Sequence, residues 1–246
     1  MIVINPKFWI PGVGCRTEGR SASGGHSPGM THTNMIIIDY KKKYHQKIIT
    51  ACVAALKAGK LVAYPTDTSY GLAADAGNFR AIKNLYRLKG RNFDKPIHVV
   101  VPSVAYAKKI VQWNSTATKL TKKFWPGPLT LAIGMRVKGS GYKLLTANNW
   151  WLGVRMPKNK IALDLAKNLG RPITTTSANI SGKKDCYSGK DVVDQFRNKK
   201  LKPDIIINAG KLPKRKPSTV VRIDPGKGYF IYRQGPITEK QILKNV

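Results

Sequence analysis

Short, continuously apolar runs recur along this chain and trade places with stretches that carry apolar residues at helical spacing. Leu61–Tyr64, Ile97–Val101, Leu129–Ile133, Trp151–Arg155 and Ile173–Thr176 read as buried strands. Between them, helices are predicted over Tyr44–Lys57, from Asn78 to Leu88, over Ser103–Val111 and Ser115–Phe124, and from Asn159 to Leu169. Such alternation admits few folds and favours helices packed over a sheet. Runs of strands without intervening helices near 129–155 and 204–233 make that sheet mixed. Ser188 is predicted to cap a further helix, and a terminal helix starts near Thr238. Val137–Asn149 is polar and contains Gly, and reads as a mobile loop.

Residues 1–34 differ from the rest. Cys15–Asn34 is rich in Gly, Ser, Thr and His, with no periodicity. It is expected to be disordered, or to be an upstream extension of a reading frame that starts in earnest at Met35. Residues 35–246 are then expected to form one folded domain, the part of the chain that carries the function.

Composition narrows the function. The formal net charge is +32, from 44 Lys plus Arg against 12 Asp plus Glu. That excess favours polyanionic partners such as nucleotides or nucleic acid, although a general enrichment in Lys explains it equally well. With three dispersed Cys and no CxxC, a disulfide framework or a zinc site is not expected, and a reducing compartment, here the cytoplasm, is. No apolar run is long enough to span a membrane. Neither a GxxxxGK[ST] loop nor a GxGxxG turn is present.

Two polar clusters stand out. The first is Leu88-Lys89-Gly90-Arg91 followed by Asp94-Lys95-Pro96-Ile97-His98. Read as loop, it aims Lys89 and Arg91 at one spot, with Gly90 allowing close approach of the backbone. An Arg fork beside a Lys point charge suits a dense anion, although a solvated basic turn accounts for it as well. The second is Thr174-Thr-Thr-Ser177-Ala-Asn179. Thr66-Asp67-Thr68, Arg155 and Arg233 also close apolar strands. In open α/β sheets the strand ends build the ligand site. Gathered together, these residues suit a substrate carrying phosphates and a carboxylate. His98 lies on an apolar strand and is either a satisfied core histidine or a substrate contact. Ser177 has no evident base and no nucleophile elbow around it. With so few acidic residues, a metal cage of protein carboxylates is not expected; Mg²⁺ would come with nucleotide phosphates.

Eight blocks in order carry a family resemblance: YPTDTSYGL (64–72), KGR (89–91), KPIH (95–98), WPGPLT (125–130), VRMP (154–157), TSANISG (176–182), PSTVV (217–221) and YRQG (232–235). Together they resemble the YrdC-type threonylcarbamoyl-adenylate synthases over about residues 44–240. The resemblance implies a twisted open α/β sheet with a basic concave face. It implies a reaction of L-threonine, bicarbonate and ATP to give L-threonylcarbamoyl-adenylate and diphosphate, for modification of tRNA. Thr68, Arg155, Ser177, Ser218 and, less directly, His98 are then implied to hold threonine. Arg91, Lys95, Asn179, Tyr187 and Arg233 face ATP, and Lys89 lies between threonine carboxylate and phosphates. Lys89, Arg91, Ser177 and Asn179 are the implied catalytic set. Two positions depart from the pattern: Val100 stands where many relatives have His, and Tyr187 where Thr or Ser is usual. Longer relatives carry a second C-terminal domain, for which this chain is expected to be too short. The implied partners are tRNA or double-stranded RNA on the basic face and a downstream threonylcarbamoyl transferase. Two other readings compete: an RNA-binding module without catalysis, whose stacking aromatics are not evident in the sequence, and the carbamoyl-transferring domain of hydrogenase-maturation proteins.

Overall fold

The computed structural model describes residues 15–18, 35–224, 226 and 228–246. The expectation for residues 1–34 falls mostly outside them. Within that span, however, Cys15–Glu18 is a strand (β1), which pairs antiparallel with β2, Met35–Asp39. The composition of the stretch hid it, because an edge strand borrows its order from its neighbour's backbone rather than from an apolar pattern of its own.

The other strands are β3 (Val62–Pro65), β4 (Tyr70–Ala73), β5 (His98–Val100), β6 (Leu129–Gly134), β7 (Trp151–Arg155), β8 (Ile173–Ser177), β9 (Ile205–Asn208), β10 (Thr219–Asp224) and β11 (Gly228–Arg233). All eleven form one mixed sheet in the order β1-β2-β9-β3-β4-β8-β5-β7-β6-β10-β11. The helices are α1 (His45–Lys57), α2 (Phe79–Lys89), α3 (Val104–Ile110), α4 (Ser115–Phe124), α5 (Ser140–Leu145), α6 (Lys160–Leu169), α7 (Gly189–Phe196) and α8 (Glu239–Leu243). Helices α1 and α6 share one core with β3 and β9, through Ile48, Ile49, Cys52, Leu56, Leu165 and Ile205. A second, larger core holds α2, α3, α4, α7 and α8 against the sheet, with Leu85, Leu120, Leu131, Val154 and Phe196 at its centre. No helix among the described residues is long and apolar enough to cross a membrane.

Most boundaries follow side-chain caps. Asn78, Ser103, Asn159, Ser188 and Thr238 each accept a hydrogen bond from a first-turn backbone N–H. For α4 the cap is Asn114, one residue before the expected Ser115. The stretch expected to be a loop, 137–149, contains α5. That helix buries only Gly141 and Leu145, so it shows almost no apolar periodicity. It is fastened by backbone contacts instead: the Ile97 N–H and the Tyr86 hydroxyl donate to the Leu145 and Leu144 carbonyls.

The topology makes the site. Because β5 runs antiparallel to β8, its start lies beside the end of β8; because β6 runs antiparallel to β7 and parallel to β10, the start of β10 lies near the end of β7. Residues before β4, β5 and β10 therefore join those that close β7, β8 and β11.

Candidate active site

Lys89 is the last residue of α2, not part of a loop. Gly90 adopts the left-handed conformation (φ +58°) that ends the helix. The Lys89 side chain is 1% exposed. Its Nζ donates to the Ser177 carbonyl (2.5 Å), the Asn179 carbonyl (2.7 Å) and Asn179 Oδ1 (3.0 Å). The three protons of an ammonium are thereby used up. Burial, and then the charge of Arg91, push the amine down to about 7. Lys89 and Arg91 consequently do not aim at one spot. Lys89 turns inward and ties α2 to the end of β8, and the Ser181 N–H returns a bond to the Lys89 carbonyl at 2.8 Å. Asn179 Oδ1 also accepts from Ser177 Oγ at 2.6 Å, so the lysine fixes both polar residues of that cluster.

Arg91 extends over the opening. Its Nε donates to the Lys95 carbonyl at 3.2 Å and its Nη2 to the Pro96 carbonyl at 3.0 Å. Beneath it lies a cavity of about 320 Å³, lined by Thr66, Thr68, Ser69, Arg91, His98, Arg155, Ser177, Asp185, Ser218 and Arg233, with neighbouring backbone. Thr66 organises the first wall: its hydroxyl accepts from the Thr68 and Ser69 N–H groups and donates to the Ser69 carbonyl. Arg155 Nη2 meets Asp67 Oδ1 at 2.6 Å. Asp67 Oδ2 accepts from the Lys158 N–H at 3.2 Å, while Arg155 Nε, buried, has no protein partner. On the opposite wall Arg233 donates to the Ser218 carbonyl and hydroxyl, at 3.0 and 3.3 Å. His98 sits among three guanidinium groups. Burial first, then Arg233, Arg155 and Arg91, hold its imidazole down at about 3, so the ring is neutral at physiological pH.

Two cavities adjoin this one. Lys89, Arg91, Lys95, Ser177, Asn179 and Ser181 line a space of about 360 Å³. On the other side, Arg91, Lys95, His98, Trp151, Arg222, Tyr232 and Arg233 border about 630 Å³. There the Arg222 guanidinium lies 5.2–5.7 Å from the ring centroids of Trp151, Phe230 and Tyr232. A stacking surface thus exists that sequence reading did not detect, because its members come from three strands.

Of the residues expected in the site, Thr68, Arg91, His98, Arg155, Ser177, Ser218 and Arg233 line the main cavity, and Lys89, Lys95 and Asn179 line the adjoining one. Tyr187 lines none of the three. Its N–H donates to Asp191 Oδ2, and its carbonyl accepts from the Leu212 N–H. It is absorbed in the start of α7. Sequence reading passed over Thr66, Ser69 and Asp185 as individual site residues and assigned no role to Asp67. The one available signal was the presence of carboxylates in so basic a chain. Among the described residues no group of three His, Cys, Asp or Glu could hold a metal ion.

Fold and cleft together define an α/β domain whose mixed sheet presents a cationic, hydroxyl-rich cavity to a small anionic ligand. The profile of the family described as Sua5_yciO_yrdC (telomere recombination) matches residues 54–235. A relative from Methanocaldococcus jannaschii is 32% identical over 216 residues, which are 88% of this chain and 99% of the relative. The threonylcarbamoyl-AMP synthase of Pyrococcus abyssi is 36% identical over 190 residues, 76% of this chain and 54% of that protein. The crystal structure of P. abyssi Sua5 complexed with L-threonine superposes with a TM-score of 0.76 at 32% identity, covering 86% of this chain and 60% of that one. The chain therefore spans little more than half of the P. abyssi protein. It belongs to the Sua5/YciO/YrdC family.

Proposed function

We infer that this chain is an L-threonylcarbamoyl-adenylate synthase, with residues 35–246 as the catalytic unit. The reaction is L-threonine plus bicarbonate plus ATP to L-threonylcarbamoyl-adenylate, diphosphate and water. One observation carries the reading: residues from six separate stretches, Thr68, Arg91, Arg155, Ser177, Ser218 and Arg233, converge on a single cavity in a member of a family whose relatives bear that enzyme's name.

The chemistry asks mainly for positioning and charge neutralisation. Bicarbonate takes up a proton and loses water to give CO₂; the threonine ammonium gives up one proton to expose its lone pair, and the nitrogen then bonds to CO₂ and sheds a second proton, giving a carbamate. A carbamate oxygen then attacks the α-phosphorus, and diphosphate leaves. Arg91 and Arg233 border both the main cavity and its neighbour, which suits a nucleotide whose α-phosphate sits beside the amino acid. Arg155 suits the threonine carboxylate. A neutral His98 can hydrogen-bond substrate without adding charge. Mg²⁺ enters as the MgATP substrate and keeps waters and phosphate oxygens as its main ligands. No covalent enzyme intermediate is needed.

The finer assignments are proposals as well: tRNA or double-stranded RNA meets the basic face, a downstream transferase receives the adenylate, and the enzyme works in the cytoplasm. The rings around Arg222 favour the RNA contact. The test is diphosphate release with MgATP, bicarbonate and each amino acid in turn. Release that requires threonine and bicarbonate supports the enzyme. Salt-sensitive RNA binding with no turnover supports a binding module instead.

A further inference from the structure

We propose that Asp185 binds the ammonium of the amino-acid substrate and so makes the main cavity select a zwitterion over an acid lacking the amine; this deepens the synthase reading and rests on it. Three arginines and one carboxylate line that cavity. Asp185 is the carboxylate, half-buried in the segment between Ser177 and α7.

Its state is unusual for this chain, in which 44 cations face 12 acidic residues. Asp67 pairs with Arg155, Asp75 with Arg171, Asp164 with Lys160, and Asp224 with Arg222. Asp191 and Asp204 accept from backbone N–H groups. Asp185 makes no hydrogen bond or ion pair among the described residues, although its charge acts on both Lys89 and Arg233. An ionised carboxylate offers about four lone-pair positions, and here they remain open toward the cavity.

An α-amino acid brings two opposite charges into such a space. Arg155, oriented by Asp67 and carrying an unpartnered buried Nε, suits the carboxylate. The ammonium would otherwise enter a cavity dominated by guanidinium groups, where repulsion and lost hydration both oppose it. Asp185 relieves both. The interaction is a binding contact and leaves the order of bond making unchanged.

The test is calorimetric binding of L-threonine and of the analogue with a hydroxyl in place of the amine, 2,3-dihydroxybutanoate, to the wild-type chain and to Asp185→Asn. A charge-assisted hydrogen bond contributes about 1.5–3 kcal/mol, or about 10- to 150-fold in affinity. Wild type is expected to bind threonine at least tenfold more tightly than the analogue. Asp185→Asn should lose at least tenfold for threonine while changing the analogue less than about threefold. MgATP affinity, unchanged or tighter, reports that the variant is folded. Equal losses for both ligands overturn the proposal, as does unchanged threonine affinity. So does a variant whose only defect is a raised Mg²⁺ requirement, which would make Asp185 a metal contact. A wild-type chain that binds no threonine overturns the synthase reading itself.

Discussion

Asp67 and Arg155 meet at 2.6 Å with side chains only 4% and 6% exposed, and the pair joins the turn after β3 to the end of β7. Neither charge has bulk water to fall back on. Asp67→Ala should therefore cost about 3 kcal/mol or more, the usual penalty for stranding one member of a buried pair. Threonine affinity should fall with it, because Arg155 loses the partner that sets its orientation. Asp67→Asn keeps one acceptor and should lie between the two. Urea unfolding together with threonine calorimetry checks both effects; full stability in Asp67→Ala would show the pair to be incidental.

Gly153 is needed for close approach. A Cβ at that position would come 2.3 Å from the His98 ring. Gly153→Ala must displace the imidazole, whose strand β5 is paired on both sides by β7 and β8, at an overpacking cost of about 1–3 kcal/mol. The site should lose substrate affinity, and His98→Ala in the same chain should restore much of the stability. A lack of such rescue would mean that the glycine serves only the strand.

The acid limb of stability should report on His98. Its folded value of about 3 lies below the ordinary value of 6.5 for histidine. Between those values the unfolded chain binds the extra proton and the folded chain does not. Stability from this group is thus present above about 6.5 and declines as pH falls toward 3, by about 1.4 kcal/mol per pH unit at most. His98→Gln should flatten the fall in melting temperature between pH 6.5 and 4. Activity between pH 6 and 8 should carry no inflection from this ring.

Where the sequence states its own constraint, the structure follows it. Most buried strands of the body are visible apolar runs, and four helices begin at the polar residue expected to start them, Asn78, Ser103, Asn159 and Ser188. Reading failed where order comes from partners distant in the chain. Strand β1 is held by β2, and α5 by carbonyl bonds to β5 and α2. The Arg222 platform is assembled across three strands. The site shows the same division. Residue types betrayed an anion-binding cleft, and most of the expected side chains meet there. Their roles could not be read off, because a Lys at a helix end looks the same whether it reaches out to solvent or turns back into the protein.

Lys89 gives that distinction a measurable consequence. Lys89→Met keeps the apolar stem and removes the Nζ, leaving the Ser177 and Asn179 carbonyls without their shared donor. Each buried unsatisfied oxygen costs about 1–3 kcal/mol, so the variant should be less stable and should also lose activity as Ser177 and Asn179 shift. Lys89→Arg should not rescue it, since a planar fork cannot point three donors at these acceptors in a fully closed site. The pH dependence reports whether the buried amine releases its proton. The folded amine sits at about 7, below the ordinary value of 10.5 for lysine. From pH 7 to 10.5 the unfolded chain holds a proton that the folded chain releases, so wild-type stability should gain a rising component over that window. Lys89→Met should lack that component. Unfolding free energies at pH 7 and pH 9.5 for both chains provide the comparison; identical slopes would mean that the three acceptor oxygens keep the amine protonated throughout, and that Lys89 holds its site as a permanent ammonium.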